Sequence, residues 1–105
     1  MKIIYAILMM LPLMTFAADA DFTLTIKDHR FQPSELEVPA GKKVKILVVN
    51  QDATPEEFES HSLNREKVIA GNGSATIYVG PLAAGNYKFF GEFNEATAQG
   101  VIIVK

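Results

Sequence analysis

The chain has 105 residues, with 10 basic and 12 acidic side chains for a formal charge of −2, a length that fits one domain. It contains no cysteine, which excludes disulfides, thiolate nucleophiles, cysteine-ligated zinc and a lipid anchor on cysteine. The acidic balance disfavours nucleic acid as a partner, and a fold this small is left with packing and a carboxylate or histidine metal site to secure it.

The opening MKIIYAILMMLPLMTFAADA combines one cation, Lys2, an apolar run from Ile3 to Phe16 and small residues after it. That is the pattern of a secretory signal peptide and is too short and weakly flanked for a membrane span. Cleavage after Ala17 or after Ala20 satisfies the small-residue rule equally, so residues 1–20 are expected to be the leader and 21–105 the mature domain. Residues 21–105 carry 9 basic against 11 acidic residues, a formal −2, and cleavage after Ala17 keeps Asp19 for a formal −3. The expected location is the periplasm, with no integral membrane segment in the mature chain.

From Phe22 onward the chain reads as strands separated by turns. FTLTIK places Phe22, Leu24 and Ile26 on one face, the alternation of a half-buried strand. ELEV, the PAGKK turn and a strand carrying Val44, Ile46 and Val48 follow, stopped by Asn50 and Asp52. After TPEEFESHSL come REKVIA, the turn GNG, SATIYV, the turn GPLAAG, NYKFF and the closing VIIV. About seven to eight short strands at this spacing predict an all-β, antiparallel Greek-key sandwich. Leu82, Gly85 and Tyr87 in LAAGNY have the spacing of a tyrosine corner, and Phe31, Phe58, Phe89 and Phe90 are expected to fill the core.

Chemistry is suggested by carboxylate density in PEEFESH and GEFNE; no phosphate loop, His-Glu-x-x-His or GxSxG is present. If EEFESH is extended, Glu57, Glu59 and His61 share one face, an oxygen-rich set suited to ferrous iron, manganese or, with the imidazole, cupric copper. Two other readings stay open at this point. Thr54-Pro55-Glu56-Glu57 also fits a helix start with a capping box, and an acidic strand face needs no ligand at all. His29 reads as a surface residue, and Arg65, Glu66 and Lys67 as a solvated face.

Taken together, the strand pattern, the phrase F-x-P-x-x-L-x-V-P-A-G-x-x-V over residues 31–44, and GPLAAGNYKFF resemble the cupredoxin fold across the mature chain. The resemblance places Gly91 where the blue-copper cysteine stands, Asn94 at the second histidine, Gln99 at the axial ligand, and Glu56 or Glu57 in the first-histidine region. Without the thiolate a blue-copper centre is excluded. EEFES, LNREK, GPL and FFGEF with TAQG are similar to the cupredoxin-like domains attached to, or encoded beside, bacterial periplasmic iron-permease systems.

The resemblance implies a periplasmic protein that binds iron, copper or both and assists an inner-membrane iron permease. It points to Glu57, Glu59 and Glu92 as ligands, with His61 and Glu95 as second-rank candidates. Two alternatives accompany this expectation: a ferroxidase component that oxidises ferrous iron, and a metal-free sandwich that docks a partner protein in the cell envelope.

Overall fold

The computed structural model describes residues 19–105; the proposed leader lies almost wholly outside the described residues. Nine strands are present among the described residues: β1 Phe22–Lys27, β2 Arg30–Gln32, β3 Glu35–Val38, β4 Val44–Asn50, β5 Glu56–Ser60, β6 Arg65–Ile69, β7 Ser74–Val79, β8 Gly85–Gly91 and β9 Gln99–Val104. A short 3-10 turn, Glu92–Asn94, separates β8 from β9. No helix among the described residues is long and apolar enough to cross a membrane.

The strands form two sheets, ordered β2-β1-β4-β7 and β3-β9-β8-β5-β6. The expected antiparallel sandwich is corrected in one respect: β1 pairs with β4, and β3 with β9, in parallel. Parallel neighbours need crossovers rather than hairpins, and alternation along a strand is the same for either direction, so the sequence pattern could not reveal them. Two of the nine strands were not among the segments read as strands from the sequence. β2 is three residues long, too short to show a period, and β5 takes the segment for which a helix start was equally open.

β5 won over that helix because both its neighbours claim it. It pairs with β6 along its length and with β8 through Phe58 and Glu59, and Phe58 is fully buried. A helix there would forfeit both ladders and this burial. Phe31 meets Phe89 edge-on at 4.9 Å between centroids, and Phe58 stacks on Phe89 at 5.0 Å, geometries favoured by the ring quadrupoles. Phe90 departs from expectation: alternation on β8 turns Phe89 inward and leaves Phe90 half-buried on the outer face.

Two polar anchors hold the ends of the sandwich. Tyr87 Oη donates to the Ala83 carbonyl at 2.8 Å, the expected tyrosine corner. Asn50, buried at the end of β4, donates through Nδ2 to the carbonyls of Thr54, Ile69 and Ala70 and accepts from the Asp52 amide. It thereby ties β4 to both ends of the β5–β6 hairpin.

Candidate metal centre

Because β5 is flanked on both sides, its alternation has a fixed sense: Glu56, Phe58 and Ser60 point into the sandwich, while Glu57 and Glu59 lie half-buried on the outer face of the five-stranded sheet. A four-residue turn, His61 to Asn64, reverses the chain into β6. The resulting register sets Val68 opposite Glu57 and Glu66 opposite Glu59. One carboxylate oxygen from each of Glu57, Glu59 and Glu66 lies within 4.8 Å of the other two.

Glu92 approaches the same place from the 3-10 turn after β8. Partial burial raises the Glu57 carboxyl above its ordinary range, and the charges of Glu66, Glu92 and Glu56 push the same way against an opposing hydrogen bond with Glu59. Glu59 is raised by partial burial, by Glu66, Glu92 and Glu57, and by a hydrogen bond shared with the Glu92 carboxyl. Among the described residues none of these carboxylates forms a salt bridge with a lysine or arginine; the salt bridge there joins Lys105 to Glu37 at 2.8 Å. Nearby Arg65 is directed elsewhere, donating through Nε to the Tyr78 carbonyl at 2.8 Å.

The structure thus brings two of the expected residues, Glu57 and Glu59, together with Glu66, which sequence reasoning had placed on a solvated face, and sets Glu92 close enough to act electrostatically on both. The signal was present in the spacing. A hairpin with a four-residue turn closes on a pair five apart and sets the next pair seven apart, and 59 and 66 are that pair.

His61 and Glu95 sit apart from the carboxylate cluster. His61 is in the turn after β5 and not on the strand, so it does not continue the Glu57–Glu59 row; its ring lies 5.5 Å from that of Phe90. It borders two depressions, one shared with Glu59 and Glu66 and another shared with Glu95, Lys88 and Gln99. Glu95 ends the 3-10 turn, exposed, and its carbonyl accepts from Gln99 Nε2 at 2.7 Å. His29 is exposed in a left-handed turn, with the Asp28 and His29 amides both donating to Asp52.

The position where the cupredoxin pattern would put a thiolate is closed. Glu56 is buried and reaches Gly91 and Asn94, the two positions assigned to cysteine and histidine ligands. Its Oε2 accepts from Asn94 Nδ2 at 2.8 Å, and its Oε1 accepts from the amides of Phe93 and Glu57, each at 2.9 Å. A Cβ on Gly91 would fall 2.6 Å from the Glu56 carboxyl carbon and 2.7 Å from the Ala98 methyl. Gln99 is exposed on β9, while Ala98, fully buried, packs against this point. These residues do not fit a copper ion in the blue-copper manner. The outer carboxylates do fit a hard cation, which takes several oxygen ligands and tolerates water in the remaining positions.

Comparison with known proteins agrees with this architecture. A family model described as Cupredoxin-like domain matches residues 1–104. An uncharacterized protein of Rickettsia prowazekii (strain Madrid E) is 49% identical over 81 residues, covering 77% of this chain and 65% of the relative, so the chain spans just under two thirds of that protein's length. Among solved structures, a reduced Cu(I) amicyanin variant at pH 4 superposes with a TM-score of 0.69 at 15% identity, covering 85% of this chain and 86% of that one. A second Cu(I) amicyanin variant gives 0.69 at 17% identity, with 86% of each chain covered. At such identities the likeness is one of fold.

Proposed function

The chain belongs to the cupredoxin-like domain family, and from that premise we propose that it is a periplasmic cation-binding protein in which Glu57, Glu59, Glu66 and Glu92 replace blue-copper chemistry. The observation that carries the reading is the convergence of three oxygens within 4.8 Å on an outer sheet face with no basic partner among the described residues. Like charges held together on a sheet work against folding, and a bound cation turns that opposition into coordination. Oxygen-only ligands suit hard cations such as manganese and iron; His61, outside the carboxylate group, shares a surface depression with Glu59 and Glu66.

The role follows from the chemistry and from the resemblance to domains of iron-permease systems: the protein binds iron in the periplasm and passes it to an inner-membrane permease. An outer-face site suits transfer, because an incoming ligand can replace water on the open side of the ion. Calorimetric titration of the purified protein with anaerobic ferrous iron, manganese, cupric copper and zinc tests the proposal. Saturable binding of one cation, lost in a Glu57/Glu59/Glu66/Glu92 quadruple Gln variant that still folds, is the expected result. Identical heats for the two proteins would overturn it.

A further inference from the structure

We propose that Glu56 is a positioning residue for this site: its buried carboxylate latches the Glu92–Asn94 turn to β5 and so holds Glu92 against Glu59. The inference rests on the carboxylate reading above. Glu56 is 1% exposed, the one buried carboxylate among the described residues, and a carboxylate is costly there unless it is hydrogen-bonded. Its three donors come from two distant segments, the Glu57 amide on its own strand and the Phe93 amide and Asn94 side chain of the turn.

Within the turn region the Asn94 carbonyl accepts from the Thr97 and Ala98 amides, at 3.2 and 2.8 Å, but those bonds run onward to β9, and Glu56 supplies the ones that reach β5. The turn lacks a side-chain cap and buries none of its residues. On one side of Glu92, Gly91 is fixed by pairing with Phe58 and by its N–H, which donates a hydrogen bond to the Ala98 carbonyl at 2.8 Å. On the other side, Phe93 and Asn94 are held by Glu56. The same strand therefore sends Glu57 and Glu59 outward as ligands and Glu56 inward as the tether for a ligand 36 positions further along. Gly91 lacks the Cβ that would displace the Glu56 carboxyl, which keeps the latch closed in one geometry.

A double-mutant cycle on manganese(II) binding, followed by EPR, separates positioning from general support of the fold. Glu56→Gln is expected to weaken binding about 10- to 100-fold, the usual cost of losing a group that orients a ligand. In a Glu92→Gln background the same substitution should cost almost nothing further, because its effect runs through Glu92. Amide exchange at Phe93 should quicken in Glu56→Gln without metal, while the β5–β6 amides stay protected. If Glu56→Gln fails to fold, Asn94→Ala, which removes only the Oε2 bond, takes its place in the cycle with a smaller loss of the same pattern. Equal losses in both backgrounds, or no loss with Glu92 intact, overturn the positioning role while leaving the cation site standing. Absence of saturable manganese and iron binding by the unmodified protein instead overturns the cation reading and this inference together.

Discussion

Glu59 and Glu66 face each other directly across the antiparallel β5–β6 ladder, two like charges at a position where sheet pairing favours opposite ones. Replacing Glu66 by Gln is therefore expected to raise the denaturation midpoint of the metal-free protein while weakening cation binding. Adding manganese(II) should raise the melting temperature of the unmodified protein in a concentration-dependent way. The variant's melting temperature should respond far less, as measured by thermal melts with and without the cation.

The raised carboxyls of Glu57 and Glu59 set the sign of a pH dependence. A carboxyl whose folded-state pKa exceeds its unfolded value contributes its stability below the unfolded pKa, and that contribution is lost as pH rises through the folded pKa. A Glu57→Gln/Glu59→Gln variant should therefore exceed the unmodified protein in stability at pH 7, with the gap closing as pH falls towards about 4. Cation affinity runs the opposite way, because protons compete for the same oxygens. Urea unfolding at a series of pH values in chelator, beside titrations at the same values, checks both slopes.

Gly91→Ala is expected to destabilise the fold by about 1–3 kcal/mol. The new methyl would lie 2.6 Å from the Glu56 carboxyl carbon and 2.7 Å from the Ala98 methyl, and both belong to a packed, hydrogen-bonded cluster that has little room to yield. Denaturant unfolding measures the loss. A Gly91→Cys variant carries the same clash, so it should not acquire the intense visible absorption of a copper–thiolate centre when copper(II) is added.

Tyr87→Phe removes the 2.8 Å bond to the Ala83 carbonyl and keeps the ring. A loss of about 1 kcal/mol is expected. The midpoint of urea unfolding should fall with an unchanged slope, and cation binding should be untouched, since the corner lies on the β7–β8 connection and not in the carboxylate cluster.

Much of the fold was legible because it is written locally. Phe22, Leu24 and Ile26, or Val44, Ile46 and Val48, alternate whichever strand they pair with, and the Leu82-Gly85-Tyr87 spacing marks its corner within six residues. The same locality misled at Phe90, where two adjacent phenylalanines cannot both face the core of one strand. At Thr54–Glu57 a good helix start lost to two strand ladders that only distant β6 and β8 could supply.

By itself, the sequence determined an all-β domain without thiolate chemistry, and it marked the two acidic segments, EEFES and GEFNE, that carry the candidate site. Only the tertiary structure decided which carboxylates meet. Hairpin register brought Glu66 to Glu59, the sense of the β5 pleat buried Glu56 and turned Glu57 outward, and the turn after β8 brought Glu92 near. The Glu59–Glu66 pair was implicit in a local spacing, but which face of β5 the core claims, and the contacts dozens of residues apart that bring Glu92, are not encoded by neighbouring residues along the chain.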